Sequence, residues 1–115
     1  MIRGFKMNDT VSIDGLEFYV HPISTSYKTI AGLYVFMRST IGKCGANWEI
    51  LYIGEAEDLD ARVGVGLKQH HRYDCTVVRN KATHIATRAV SGPRQTRLDL
   101  ETKLRLKYDP PCNRQ

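Results

Sequence analysis

The sequence lacks long apolar runs and is poor in cysteine. None of its apolar stretches approaches the roughly 20 residues that a transmembrane helix requires. Its three cysteines, Cys44, Cys75 and Cys112, are odd in number and widely spaced, and no pair has the C-x-x-C spacing of a metal or redox site. The first residues are too few and too polar for a secretory signal. We therefore expect a cytoplasmic protein with reduced thiols and no membrane partner.

Repeats, low-complexity tracts and linkers are also absent. Hydrophobic residues make up 42% of the chain and charged residues 25%, which is ordinary for a globular domain. A length of 115 residues allows one hydrophobic core but not two. Within this unit we distinguish an N-terminal extension, residues 1–29, from a main domain, residues 30–115.

Acidic residues are in the minority, with 12 Asp and Glu against 17 Lys and Arg and a formal net charge of +5. A basic surface favours phosphate polyanions, because binding releases their counterions. An excess of solvated basic side chains without any partner produces the same balance. The charge is therefore compatible with a nucleic-acid partner and does not by itself establish one.

Alternating apolar residues predict β-strands in the first half of the chain. Two short strands flank the Asp-Gly dipeptide at 14–15, which is the strongest short signal for a β-hairpin. Residues 31–37 and 48–54 are rich in β-branched and aromatic side chains and predict two longer strands. If these two strands pair antiparallel, Tyr34 and Tyr52 lie on neighbouring strands.

Loops and helices are predicted in the middle of the chain. The polar, glycine-bearing stretch 38–47 predicts a loop. Acidic residues after Gly54, followed by apolar residues at helical spacing, predict a helix that ends at about Val63 and carries Arg62. Residues 67–82 predict a short helix followed by a polar connector.

The last third of the chain predicts a strand and a helix. Residues 83–90 alternate and predict a third strand, and a helix follows from Pro93 to about Lys107. Together the elements predict an α+β fold, in which a small, central, mainly antiparallel three-stranded sheet is flanked by helices. The N-terminal β-hairpin is an extension of this fold.

One carboxylate falls on the apolar side of the last helix. At about 100° per residue, its leucines and Tyr108 gather on one broad side, and Glu101 lies among them. A carboxylate in such a place is costly unless it is paired or bound to a cation. The basic residues within one turn that could neutralise it are Arg97, Lys103 and Arg105.

Short motifs, in this order along the chain, resemble those of the GIY-YIG nuclease family. A Gly-Leu-Tyr motif ends at Tyr34, and a Tyr-Ile-Gly motif begins at Tyr52. Arg62 follows on the predicted helix, Glu101 lies on the last helix, and Asn113 follows a Pro-Pro pair. The resemblance covers most of the chain and implies a GIY-YIG-like fold.

The resemblance implies phosphodiester hydrolysis with one divalent ion, Mg²⁺ or Mn²⁺. Tyr34 would be the general base for the attacking water, directly or through a second water, or would orient that water. Arg62 would bind the scissile phosphate, and Tyr52 would position the phosphate or the water. Glu101 would be the one protein ligand of the metal ion, and Asn113 would hold the site together by side-chain hydrogen bonds. A phenol with a pKa near 10 needs its anion stabilised before it can serve as a base at neutral pH.

Two positions depart from the family pattern. Glu55 follows Gly54 where many members carry a basic or small residue, and its carboxylate would bind a second cation, repel phosphate or face away. Many members have a histidine one turn after the arginine, where this chain has Gly66. His70 or His71 would take that role as phosphate contact or proton shuttle, or would lie on the surface.

Basic side chains between the first helix and the third strand are predicted to contact nucleic acid. They are Lys68, His70, His71, Arg72 and Lys81. Tyr73 lies among them, and an aromatic ring between basic residues suits phosphate contact combined with base stacking. A solvated basic loop is the alternative. The last helix is predicted to carry a mixed solvent face, with one or two residues near DNA, formed by Arg94, Arg97, Lys103, Arg105 and Lys107.

The sequence therefore predicts a metal-dependent endonuclease that hydrolyses phosphodiester bonds of DNA by a one-metal mechanism, with RNA as the alternative substrate. Target choice would come from the N-terminal hairpin, residues 65–82, a homodimer or a partner protein. The alternative function is a catalytically inactive module of GIY-YIG fold that binds nucleic acid or another protein.

Overall fold

The computed structural model describes residues 10–42 and 45–114, which form a curled, antiparallel five-stranded sheet and one C-terminal α-helix. The strands are β1 Thr10–Ile13, β2 Leu16–Pro22, β3 Gly32–Gly42, β4 Gly45–Ala56 and β5 His84–Ala89. Their order across the sheet is β1-β2-β5-β3-β4. Helix α1 spans Arg94–Tyr108, and short helical turns occupy Asp60–Gly64, Leu67–Gln69, Asp74–Arg79 and Pro111–Asn113.

The predicted three-stranded sheet flanked by helices is wrong. Strand β2 pairs with β5, from Tyr19 opposite Thr87 to Pro22 opposite His84, so the hairpin contributes two strands to the same sheet. The physical reason is that β5 has two edges. Pairing with β3 alone would leave the backbone groups of its second edge without strand partners. The half-barrel that results has five strands and one long helix.

The predicted hairpin is confirmed. Strands β1 and β2 pair antiparallel from Thr10 opposite Tyr19 to Ile13 opposite Leu16. The two turn residues between them have φ angles of 54° and 77°. Both angles are positive, as a type I′ turn requires, and Asp-Gly is a favoured pair for that turn.

The antiparallel pairing of the two long strands is also confirmed, with Tyr34 opposite Gly54 and Phe36 opposite Tyr52. The predicted loop at 38–47 is wrong, because the strands continue and Thr40 still pairs with Asn47. Glycine and polar residues lowered the β-propensity of this stretch, but pairing within a long hairpin outweighed it.

The helix predicted after Gly54 is much shorter than expected. Strand β4 continues through Glu55 to Ala56, which still pair with β3, and only the turn Asp60–Gly64 is helical. Within 67–82 the short helix is confirmed as Leu67–Gln69. The stretch predicted to be a polar connector contains a further helical turn, Asp74–Arg79.

The final helix is confirmed to within one residue at each end, and Pro93 directly precedes it as its N-cap. Leu104 packs on one face of the sheet in a cluster with Leu33, Val35 and Ile53. The opposite face carries the aromatic side chains of β3 and β4, covered by residues of the 59–79 segment. The predicted catalytic tyrosines therefore lie on the face that α1 does not cover.

Cys75 and Cys112 form a disulfide with a Cα–Cα distance of 5.7 Å. The expectation of reduced thiols is wrong for this pair, whose sequence spacing of 37 residues gave no sign of it. The third cysteine, Cys44, lies outside the described residues. No helix in the described part of the chain is long and apolar enough to cross a membrane.

Candidate active site

The C-terminal asparagine covers the free edge of β4. Asn113 accepts a hydrogen bond from the Ile53 N–H at 2.8 Å and donates its side-chain N–H to the Ile53 carbonyl at 3.0 Å. An amide side chain that pairs both backbone groups of one residue substitutes locally for a neighbouring strand. Since Tyr52 directly precedes Ile53, this pairing fixes the chain end beside the Tyr-Ile-Gly motif.

The two motif tyrosines lie side by side on β3 and β4, with their ring centroids 6.1 Å apart. Gly54 is opposite Tyr34 in the strand register. A Cβ atom at position 54 would lie 2.4 Å from the Tyr34 ring and 2.5 Å from its hydroxyl oxygen. Because Gly54 has no side chain, the ring of Tyr34 can occupy the space beside it. The glycine of the second motif therefore makes room for the tyrosine of the first.

His70 is buried, with 5% of its surface exposed, and its Nε2 lies 2.6 Å from the hydroxyl oxygen of Tyr34. Its other ring nitrogen, Nδ1, accepts a hydrogen bond from the Arg72 backbone N–H at 3.0 Å. A neutral imidazole that accepts at Nδ1 carries its proton on Nε2. His70 therefore donates to the Tyr34 oxygen.

Burial lowers the pKa of His70 to about 4, and the neighbouring charges of His71, Arg62 and Arg72 act in the same direction. The imidazole is neutral at physiological pH, so its tautomer is fixed by the backbone. Three aromatic rings surround it edge to face, those of Tyr34, Phe36 and Tyr52, with centroids 5.3–5.5 Å away. The surface location that sequence reasoning left open for His70 is wrong.

His71 differs from its neighbour in being exposed. Its ring stacks on that of His70 at a centroid distance of 4.8 Å, and its Nε2 lies 3.4 Å from the hydroxyl of Tyr52. His71 is therefore at the solvent side of the same cluster, where an incoming ligand can reach it.

Both phenols are protonated at neutral pH. Burial raises the pKa of Tyr34 above its ordinary value, Tyr52 adds to the rise, and the guanidinium of Arg62 acts against it. Burial also raises the pKa of Tyr52, with the carboxylate of Glu101 as the second cause. Since the charges of Arg62 and Glu101 affect the pKa values of these tyrosines, all four side chains lie near one another.

Arg62 and Glu101 approach the two tyrosines from different elements. Arg62 is exposed on the helical turn Asp60–Gly64, and Glu101 is half-buried on α1. Burial raises the pKa of Glu101, whereas the charge of Arg105 lowers it. Three basic residues were predicted to be able to neutralise this carboxylate. Of these, Arg105 is the one whose charge lowers the pKa of Glu101.

The departure at Glu55 has a structural explanation. Its carboxylate lies 2.9 Å from Arg94 Nε and 3.5 Å from Arg97 Nε, so it faces helix α1 and is neutralised there. Arg97 is only 3% exposed, and the prediction that it lies on a solvent face is wrong. Arg97 is buried because it pairs with Glu55, which lies 42 residues earlier in the chain and cannot be identified as its partner from the local sequence pattern.

An open cleft of about 430 Å³ lies beside this ion pair. Arg62 and Arg94 supply its cations, and its carboxylates belong to Glu55, Glu57 and Asp58. The exposed guanidinium of Arg62 thus borders both the cleft and the tyrosine cluster.

The residues predicted to contact nucleic acid differ in their exposure. Lys68 and Lys81 are exposed, Arg72 is partly buried, and His70 is enclosed within the tyrosine cluster. The role of His70 as the hydrogen-bond partner of Tyr34 was missed. Its only sequence signal was the missing histidine after Arg62, for which His70 and His71 were the nearest replacements.

Comparisons of this chain with protein-family models, with curated proteins and with solved structures found no match. The described residues contain no group of three or more histidine, cysteine, aspartate or glutamate side chains placed to hold a metal ion. A one-carboxylate site, such as Glu101 would provide, is a different arrangement.

Proposed function

We propose that this protein is a metal-dependent endonuclease that hydrolyses phosphodiester bonds of DNA, with chemistry resembling that of GIY-YIG nucleases. One observation carries the proposal. The rings of Tyr34 and Tyr52 lie 6.1 Å apart on neighbouring strands, and Arg62 and Glu101, from two further elements, lie close enough to affect the pKa of Tyr34. Two phenols, a guanidinium and a half-buried carboxylate are the groups that the proposed hydrolysis needs.

Arg62 is the proposed phosphate-binding residue. Its guanidinium is exposed at the mouth of the 430 Å³ cleft and close enough to Tyr34 to oppose the rise in the phenol's pKa. A planar fork of donors suits two oxygens of one phosphate and offsets the charge that develops as the bond to the attacking oxygen forms.

Glu101 is the proposed metal ligand. Mg²⁺ retains several waters and is commonly held by one or two carboxylates, so a single glutamate is a chemically sufficient donor set. The raised pKa of this half-buried carboxyl also fits, because a cation beside it would favour the charged form. When bound there, Mg²⁺ or Mn²⁺ would supply positive charge to the phosphate and the leaving oxygen.

The proposed role of Tyr34 is an indirect one. Its side chain has no exposed surface, so the attacking water would reach it through Tyr52 or a second water. His70 donates to the Tyr34 oxygen, which leaves the phenol proton free to point elsewhere. Once Tyr34 loses that proton, the same Nε2–H and the charge of Arg62 both stabilise the phenolate.

A titration with Mn²⁺ tests the proposal against the alternative of a non-catalytic binding module. We expect the wild type to bind one Mn²⁺ and Glu101→Gln to lose that binding while remaining folded. Glu57→Gln, which removes an exposed carboxylate from the neighbouring cleft, is the matched control and should bind as the wild type does. Equal Mn²⁺ binding by wild type and Glu101→Gln, together with binding of DNA but no cleavage, would favour the non-catalytic module.

A further inference from the structure

A second open groove, of about 290 Å³, runs along the end of helix α1. It lies between the last turns of the helix and the C-terminal segment, and Asn113 forms part of its wall. Asn113 is also hydrogen-bonded to Ile53, which follows Tyr52, so the groove shares one residue with the candidate active site. The residues that line it are Thr102, Arg105, Leu106, Asp109, Pro110, Asn113 and Arg114.

Arg105 connects the groove with the catalytic groups. It is exposed, it lies one turn beyond Glu101 on the same helix, and it borders the groove. Its positive charge acts on both Glu101 and Tyr52, lowering the pKa of each. A guanidinium in this place can bind an anion that enters the groove from the active site.

The charges of the groove differ from those of the cleft beside Arg62. In the groove Arg105 and Arg114 face one carboxylate, Asp109, which Arg114 already contacts at 3.0 Å. In the cleft, carboxylates outnumber the two arginines. Leu106, which is 80% exposed, adds apolar surface to the groove, where a sugar or base edge can pack. Beyond the scissile phosphate, which Arg62 would bind, a polyanion with apolar rings is thus better matched by the groove than by the cleft.

We propose that this groove is a nucleic-acid subsite, in which Arg105 binds the phosphate next to the scissile phosphate and the strand continues along Leu106 and Arg114. The proposal rests on the proposed nuclease function and adds the path of the substrate strand to it. Arg105 would then be one of the residues on the solvent face of the last helix that lie near the nucleic acid. It contacts a neighbouring phosphate, so it contributes to binding and not to bond cleavage.

The test compares Arg105→Ala with Lys103→Ala, which removes one charge from the same helix at an exposed side chain outside the groove. We expect Arg105→Ala to weaken binding of a short single-stranded DNA about tenfold and to lower the slope of log Kd against log salt by about 1. In a cleavage assay, KM should rise while kcat is retained. Arg105→Lys should recover part of the affinity, and Lys103→Ala should match the wild type.

Two results would overturn the inference while leaving the nuclease proposal intact. The first is cleavage by the wild type with equal KM and salt slope in Arg105→Ala and Lys103→Ala. The second is a loss of kcat alone in Arg105→Ala, which would make the residue part of the catalytic machinery. If the wild type neither binds nor cleaves DNA or RNA, the nuclease proposal itself fails, and the subsite fails with it.

Discussion

At the candidate site, the position of Tyr34 depends on two residues that contact it, Gly54 and His70. Gly54 leaves the space that the Tyr34 ring fills, and His70 donates to the hydroxyl of that ring. The motif glycine was visible in the sequence. The sequence named His70 and His71 together, but not which of them bonds to Tyr34, because 36 residues separate His70 from Tyr34 and nothing local distinguishes a buried imidazole from an exposed one.

The low pKa of His70 makes the stability of the fold depend on pH. In the unfolded chain this histidine binds a proton near pH 6.5, whereas in the folded protein it does so only near pH 4. Between these values the unfolded state binds more protons, so acidification through this window should cost up to about 3 kcal/mol of unfolding free energy.

Denaturant unfolding at several pH values checks this expectation. His70→Gln keeps a donor for Tyr34 but does not titrate, so the loss of stability between about pH 6.5 and about pH 4 should be smaller than in the wild type. His71→Gln, at the exposed neighbour, should retain most of the loss, because burial is the main cause of the low pKa of His70. An identical pH dependence in wild type and His70→Gln would show that His70 is not held neutral.

At the scale of elements, the sequence predicted most strands but not how far they extend. The Asp-Gly turn located the hairpin, runs of β-branched and aromatic residues located β3 and β4, and alternation located β5. The ends were misjudged where pairing extended a strand through unfavourable residues, as at Thr40 opposite Asn47 and Gly32 opposite Ala56. Local propensity is weak at such positions, and the partner strand decides.

The disulfide links two elements that flank the candidate site. Cys75 lies in the turn Asp74–Arg79, just after the two histidines, and Cys112 directly precedes Asn113. Closing a loop of this length lowers the entropy of the unfolded chain, which corresponds to about 4 kcal/mol of stability. The bond therefore helps to hold the histidine segment and Asn113 together.

We expect the double variant Cys75→Ser, Cys112→Ser to lose about 4 kcal/mol of unfolding free energy in oxidising buffer. Dithiothreitol should lower the stability of the wild type by a similar amount and leave the double variant unchanged, which is the control. Chemical denaturation with and without the reductant provides the measurement. A wild type that is indifferent to dithiothreitol, with both thiols free to alkylation, would contradict the assignment.

At the scale of the whole molecule, the assembly of the sheet was the part that sequence reasoning could not supply. Each strand was recognisable, but alternation gives a strand two faces and leaves its lateral partners unspecified. The pairing of β2 with β5 joins residues more than 60 positions apart. The burial of Arg97 against Glu55 is a second long-range effect of the same kind.

The convergence of the motif residues is the central feature of the whole molecule. Tyr34, Tyr52, Arg62, Glu101 and Asn113 were predicted as a catalytic set from their order and element type. In the fold Tyr34, Tyr52, Arg62 and Glu101 lie close enough to affect one another's pKa, and Asn113 is hydrogen-bonded to Ile53 beside Tyr52, on a sheet with more strands than expected. Their catalytic roles stay predictions, and they depend on this arrangement rather than on the number of strands.

The most direct test of the nuclease proposal is cleavage of supercoiled plasmid in Mg²⁺ and in Mn²⁺. We predict that the wild type nicks or linearises the plasmid and that Arg62→Ala and Glu101→Gln, both folded, lose about two orders of magnitude in rate. Arg79→Ala, at an exposed arginine paired with Asp74, should cleave as the wild type does. Equal background in all four proteins, with branched, single-stranded and RNA substrates also intact, would contradict the proposal.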